Sequence, residues 1–107
     1  MTSRLTLVEL LDARISSLPG VERKRSRWRL MTGYFAHGRE IAHFHSDHKI
    51  DIRLTRLRQR QLSKTLSEDR RVRFRPKPSE WVWVGFSTPQ DTDFVVGLVE
   101  QAVKGNR

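Results

Sequence analysis

The sequence predicts an α+β fold: a single compact domain in which an antiparallel sheet carries three helices packed mainly on one face. Its 107 residues suit one domain, and the range 1–107 contains no internal repeat, low-complexity tract or linker. Segments with helical and with strand-like periodicity follow in the order helix, strands, helix, strands, helix. The turns between neighbouring strands are too short for a parallel crossover, so the strands are expected to pair antiparallel.

The first helix is expected to begin after Thr6. Thr6 and Glu9 have the spacing of a capping box, in which each side chain bonds the backbone of the other. The sequence Leu18-Pro19-Gly20 ends the helix, because proline and glycine both disfavour its continuation. The apolar residues of its buried stripe are Leu7, Leu10, Leu11, Ile15 and Leu18.

Strand-like alternation begins at Val21. Trp28 and Leu30 fall on one face of this segment, and Gly33 interrupts it before Tyr34 resumes the pattern. The opposite face carries a basic residue at every second position: Arg23, Arg25, Arg27 and Arg29.

A second helix is expected from Thr55, whose side chain suits an N-cap. It would turn three leucines inward and carry basic residues at i, i+4 and i+8 on another face. The expected inward residues are Leu57, Leu62 and Leu66, and the basic row is Arg56, Arg60 and Lys64.

Two further strands and a helix complete the chain. A short strand ends at Pro76 and Pro78, because proline cannot donate to a strand ladder. The segment 81–86 is the most strand-like of all, and a helix begins at Ser87 or Thr88. The short strand has a basic face formed by Arg71, Arg73 and Arg75, and the last helix has a buried stripe formed by Phe94, Val95, Leu98 and Ala102.

Composition excludes several classes of protein. The absence of cysteine excludes a disulfide framework, a thiol nucleophile and any cysteine-ligated zinc or iron–sulfur site. No apolar run approaches the ~18 residues of a membrane span, and the N-terminus lacks a signal-peptide pattern. There is no glycine-rich phosphate loop and no serine nucleophile elbow. We therefore expect a cytoplasmic protein without a cofactor and without membrane association.

Strands 39–45 and 49–54 are expected to form a hairpin whose register decides the character of each face. A two-residue turn at Asp47-His48 would place two histidines among isoleucines. A three-residue loop, 46–48, pairs Phe44 with Ile50, Ala42 with Ile52 and His43 with Asp51, so that the apolar residues coincide on one face. We favour the second register, which gathers four polar side chains on the other face: His43, His45, Asp51 and Arg53.

Three uses of this polar cluster are open. The His-x-His spacing with Asp51 resembles some metal sites, although the signal is weak and we expect no metal. A carboxylate opposite a histidine can fix its tautomer, giving a general base or, with Arg53, a clamp for a ligand. Alternatively, Asp51 simply pairs with Arg53 or His43 on a solvated sheet face.

The charge distribution suggests a competing function. The net charge of +9 is concentrated in residues 21–29 and 55–77, and sixteen of the twenty-one basic residues are arginine, which suits phosphates and carboxylates. With Trp28, Trp81 and Trp83 nearby, a nucleic-acid-binding module is the alternative, although the helix-turn-helix, zinc-finger, RRM and KH signatures are absent. The alternative contacts would be Arg23, Arg25, Arg27, Arg29, Arg56, Arg60, Arg71, Arg73 and Arg75. A third possibility is a protein-interaction domain that forms a homodimer through Trp81 and Trp83; both tryptophans could also be core residues.

Three segments together resemble a known family. They are Gly38-Arg39-Glu40-Ile41-Ala42-His43-Phe44-His45, Ile50-Asp51-Ile52-Arg53-Leu54 and Ser79-Glu80-Trp81-Val82-Trp83-Val84. The chain resembles the luciferase-domain family, named after fungal luciferases, from about residue 20 onward. The resemblance implies a compact α+β domain. The fungal luciferases for which the family is named oxidise a hydroxylated pyrone with molecular oxygen and use no metal or flavin. It implies that the functional positions are Glu40, His43, His45, Asp51 and Arg53. We expect these residues to bind a small anionic or oxygen-rich molecule, with its oxidation as an open question.

Overall fold

A computed structural model describes residues 5–26 and 32–107. The expected strand positions Arg27, Trp28, Arg29 and Leu30 lie outside these ranges. The first helix, α1, spans Leu7–Ser16, and both hydrogen bonds of the predicted capping box are present. The N–H of Glu9 donates to Thr6 Oγ1 at 3.1 Å, and the N–H of Thr6 donates to Glu9 Oε1 at 3.0 Å.

The described strands form one antiparallel sheet in the order β1-β2-β3-β4-β6-β5, which confirms the α+β fold. The last strand along the chain therefore inserts between β4 and β5. Gly33 lies inside β2 and does not interrupt it. The strands are β1 Glu22–Arg25, β2 Thr32–Ala36, β3 Arg39–Ser46, β4 Lys49–Arg53, β5 Val72–Phe74 and β6 Trp81–Gly85.

Four helices are present in the described ranges, one more than expected, because the second predicted helix is interrupted at Leu62. Thr55 Oγ1 accepts a hydrogen bond from the N–H of Arg58 at 3.2 Å, as an N-cap does. The interruption changes the helical phase, so Leu66 is buried while Leu57 is 56% exposed, contrary to the expectation that both face inward. It also divides the expected basic row. The remaining helices are α2 Thr55–Gln61, α3 Ser63–Glu68 and α4 Asp91–Gly105.

The helices α1 and α4 cover one face of the sheet and bury the core between them. Leu11 and Ile15 of α1 and Val95 and Val99 of α4 are fully buried, and Phe94 is half-buried. α4 begins at Asp91, later than expected, because the Asp91 carboxylate accepts the N–H groups of the two residues proposed as its start. The sheet contributes alternate residues to this core: Ala42, Phe44, Ile50, Ile52, Val82 and Val84.

The favoured hairpin register is correct. Phe44 pairs with Ile50, and the other two predicted pairs are also present. The loop differs from the expectation, since Ser46 pairs with Lys49 around a two-residue turn, and a bulge at His45 restores the register. The bulge provides the extra residue that we had assigned to a three-residue loop.

In the described ranges, no helix is long and apolar enough to cross a membrane.

Candidate functional site

The face of the sheet opposite α1 and α4 carries the candidate site, which we call the polar face. Three neighbouring strands place His43, Asp51 and Trp83 side by side on it, since His43 of β3 pairs with Asp51 of β4, which pairs with Trp83 of β6. Their chain neighbours point into the core because successive residues of a strand alternate between faces. The register that brings the apolar residues of β3 and β4 together on the core side therefore also brings their polar residues together on the polar face.

A second bulge brings Glu40 onto the same face. Tyr34 pairs with Ala42 but Phe35 pairs with Glu40, so Ile41 is an extra residue in β3. Ile41 belongs to the buried core, whereas strict alternation along β3 would place it on the face of His43. The bulge lets Glu40 reach His43 three residues further along the chain.

His43 lies between two carboxylates. Its Nδ1 is 2.7 Å from Glu40 Oε2, and its Nε2 is 2.8 Å from Asp51 Oδ2. The three side chains are 6%, 0% and 3% exposed, in the order His43, Glu40, Asp51. A neutral imidazole has one donor and one acceptor, so two such contacts require two protons. The cluster holds either an imidazolium between two carboxylates or a neutral ring with one protonated carboxyl group.

Glu40 is fixed by residues of β2 and by the segment after β1. Ser26 Oγ donates a hydrogen bond to Glu40 Oε2 at 2.8 Å. Gly33 leaves room for the carboxyl group, since a Cβ there would lie 3.0 Å from Glu40 Cδ and 3.1 Å from Ser26 Cα. Glycine at position 33 therefore allows the close approach of Glu40, a role that the sequence pattern did not reveal.

Aromatic and basic side chains surround this cluster. The Trp81 ring lies 5.0 Å from the His43 ring, measured between centroids. Arg75 lies over the Trp83 ring at 5.3 Å, and its Nη2 is 3.9 Å from Asp51 Oδ2. His45 is 41% exposed, and its Nδ1 is 3.6 Å from the same oxygen. The cluster is thus buried at its centre and bounded by two partly exposed side chains.

Three buried polar atoms on the polar face have no hydrogen-bond partner among the described residues. They are Asp51 Oδ1, Arg75 Nε and Trp83 Nε1, one acceptor and two donors. Buried polar groups in native proteins are almost always paired, because an unmet hydrogen bond costs about 1–3 kcal/mol. Three such atoms therefore lie close together on the polar face without a partner among the described residues.

The structure brings together some of the expected site residues and separates another. Glu40, His43 and Asp51 are in direct contact, and His45 lies at the margin. Arg53 instead forms its ion pair with Glu80, with Nη2 and Nε at 2.6 and 3.2 Å from Oε1. The expected pairing of Asp51 with His43 is present, but on a buried face and not on a solvated one.

Sequence reasoning placed Arg75 in a basic stripe and left Trp83 as a core or contact residue. Both reach the polar face because β6 inserts beside β4 and β5 pairs with β6. The alternation of 71–75 and 81–86 gave the correct faces, but no local signal gave this strand order.

The other basic residues considered for nucleic acid are dispersed. Arg23 lies on the helix side, where its Nε donates to Asp12 Oδ1 at 3.0 Å, whereas Arg75 lies on the opposite face at the other edge of the sheet. Side-chain hydrogen bonds to Asp69, together with one to Asp91, raise the pKa of Arg71 above its usual range. In the described ranges the exposed members of the set are Arg23, Arg25, Arg56, Arg60 and Arg73.

No group of three histidine or acidic side chains in the described ranges is arranged to hold a metal ion. His43 is already in contact with a carboxylate at each ring nitrogen, which leaves neither lone pair free for coordination. The contacts of His43 with two carboxylates suit it to hydrogen bonding and proton transfer.

Fold and site together define a small α+β protein that carries a carboxylate–imidazole–carboxylate cluster on the side of an antiparallel sheet opposite α1 and α4. Comparison with known families identifies a match to the luciferase domain over residues 38–102, which is more than half of the chain. The chain therefore belongs to the luciferase-domain family, in agreement with the resemblance of its motifs. No curated protein and no solved structure showed a significant match. The matched region contains Glu40, His43, Asp51, Arg75 and both tryptophans of β6.

Proposed function

We propose that the polar face binds a small oxygen-rich molecule that carries a hydroxyl group beside a carbonyl or carboxylate oxygen. The supporting observation is the set of three unpartnered buried atoms. Asp51 Oδ1 would accept the hydroxyl proton, while Trp83 Nε1 and Arg75 Nε would donate to the neighbouring oxygen. Such a ligand satisfies all three groups at once, which no apolar molecule can do.

The proton of the ligand hydroxyl goes to Asp51 in this proposal. Asp51 Oδ2 is hydrogen-bonded to His43, whose other nitrogen contacts Glu40, so the three side chains share the charge that the ligand proton introduces. Ligand access is past His45 and Arg75, the two partly exposed side chains that approach Asp51. An enol or phenol held in this way becomes electron-rich as it loses its proton. Membership of the luciferase-domain family makes oxidation by dioxygen the reaction to examine.

A suitable probe is 3-hydroxy-2-methyl-4-pyrone, which carries an enol hydroxyl on the carbon next to its ring carbonyl. Binding is measured by calorimetry and by the rise in melting temperature, with oxygen uptake followed in parallel. A ligand at one hundred times its Kd stabilises the folded state by about 2.7 kcal/mol. The O-methyl ether of the probe lacks the hydroxyl proton and should bind at least several-fold more weakly.

Variants of the polar face test the assignment. Trp83→Phe keeps the ring but removes the N–H, and loss of one hydrogen bond of about 0.5–1.5 kcal/mol should weaken binding roughly 2- to 12-fold. Asp51→Asn should weaken it further, because the amide cannot take the hydroxyl proton. Asp47→Asn, on the exposed turn of the same hairpin, is the matched control and should bind as the wild type does. Equal affinity for the probe in Trp83→Phe, Asp51→Asn and the control would disprove the proposed site.

A further inference from the structure

A groove on the other side of the sheet is separate from the polar face. It lies between α2, α3 and β5 and has a volume of about 360 Å³. Phe74 lines it and pairs with Val82, whose side chain points into the core, so the groove opens on the helix side. Its lining includes Arg56, Arg60, Ser63, Ser67, Phe74 and Pro78.

Phe74 presents an exposed aromatic surface in this groove. Its side chain is 46% exposed although its neighbour Val72 on the same strand is buried. β5 is a three-residue edge strand, so the ring could be replaced by a polar residue without disturbing the core. An exposed aromatic ring at this position is suited to stacking against a flat partner.

Most cations around the groove form no ion pair with the described part of the chain. Residues 55–77 contain nine basic and two acidic residues. Asp69, one of the two acidic residues, forms an ion pair with Arg71. Most of the other basic residues of this segment are therefore available to a partner. In the described ranges, no ion pair is formed by Arg56, Arg58, Arg60, Lys64, Arg70, Arg73 or Lys77.

We infer that this groove binds single-stranded nucleic acid. A base stacks on Phe74, the guanidinium groups of Arg56 and Arg60 contact the flanking phosphates, and the hydroxyl of Ser63 donates to a phosphate or sugar oxygen. An acidic peptide would supply the negative charge but no flat base. A duplex keeps the faces of its bases stacked inside, out of reach of Phe74. The combination of an exposed ring with unpaired arginines therefore favours the single strand.

The decisive comparison uses two labelled strands with the same backbone charge. Binding of a twelve-nucleotide oligothymidylate and of an abasic strand of equal length is measured by fluorescence anisotropy at 150 mM salt. The wild type should prefer the strand with bases, and Phe74→Ala should lose that preference. Replacing an aromatic side chain that stacks on one base with alanine weakens binding about 5- to 150-fold. Fluorescence anisotropy measures a change in affinity of this size easily.

Charge variants separate the groove from the general basicity of the chain. Arg56→Glu with Arg60→Glu should weaken binding and lower the slope of log affinity against log salt by about 1.4, because each phosphate contact on a single strand contributes about 0.7. Lys24→Glu with Arg25→Glu makes the same change in charge on β1, at the opposite edge of the sheet, and should have a much smaller effect. Asp51→Asn should leave oligonucleotide binding unchanged. That result would show that the groove binds its ligand independently of the polar face.

Three results would each overturn the inference. They are equal affinity for the abasic strand, an unchanged affinity in Phe74→Ala, and equal losses in the two double-charge variants. Binding of polyglutamate as tight as that of the oligothymidylate would assign the groove to acidic peptides instead.

Discussion

Replacing Gly33 with alanine should destabilise the protein, although alanine is ordinarily the better residue inside a strand. The new Cβ would lie 3.0 Å from Glu40 Cδ and 3.1 Å from Ser26 Cα, whereas carbon atoms in contact normally lie about 3.5–4.0 Å apart. Glu40 cannot simply swing away, because it is fully buried and bonded to His43 and Ser26. At least one of these hydrogen bonds must lengthen or break.

The size of the effect follows from opposing contributions. Forcing one extra carbon into a packed site costs about 1–3 kcal/mol. Alanine also restricts the unfolded backbone more than glycine does, which stabilises the folded state by about 0.4–1 kcal/mol. The net loss is thus about 1–2 kcal/mol, which in a domain of this size lowers the melting temperature by roughly 4–15 °C.

Urea unfolding followed by tryptophan fluorescence measures this difference. Gly97→Ala is the matched control, because Gly97 lies in the exposed middle of α4 and a Cβ there would contact nothing within 4 Å. That variant should be more stable than the wild type by about 0.5–1 kcal/mol, the difference in helix propensity. A Gly33→Ala protein as stable as the wild type would refute the packing of Glu40 described above.

Three further predictions concern pH and metal. Hydrogen bonds from the N–H groups of Ser87 and Thr88 lower the pKa of Asp91 to about 2. The Asp91 carboxylate therefore stabilises the fold above pH ~4, and this stabilisation is lost as the pH falls towards 2. Asp91→Asn should therefore cost about 1–2 kcal/mol at pH 7, less any screening by solvent, and thermal melts should converge with wild type at pH 2. Burial and the hydrogen bond to Asp12 raise the pKa of the Tyr34 hydroxyl far above 10. The stability of the folded protein should therefore fall as the pH rises above ~10. Thermal melts of Tyr34→Phe at alkaline pH should not show this fall. A chelator should change the melting temperature by no more than a few degrees; a larger drop would indicate a structural metal.

Local pattern was sufficient for most of the fold. The capping box at Thr6 and the alternation of 49–53 gave the first helix and the central strand, because each depends on residues close in the chain. The register of the hairpin followed from one requirement, that Ala42 and Phe44 share a face with Ile50 and Ile52. That requirement alone placed His43 opposite Asp51.

The rest of the candidate site depends on contacts between distant segments. Glu40 reaches His43 only through a bulge at Ile41, and a bulge leaves no reliable mark on the alternation of a short strand. Arg75 and Trp83 join the site through the insertion of β6, which is set by long-range packing. The interruption at Leu62 was missed because the leucine spacing of 57–66 fits a continuous helix equally well.

The insertion of β6 between β4 and β5 has a consequence for synthesis of the chain. A nascent polypeptide that ends near residue 75 already contains β1 to β5, yet β5 pairs only with β6 in the described sheet, and β4 has an unpaired outer edge. Such an edge is a template for pairing with other chains. Trp81 to Gly85 close both gaps at once, so we expect the growing chain to be most prone to aggregation before these five strand residues have left the ribosome.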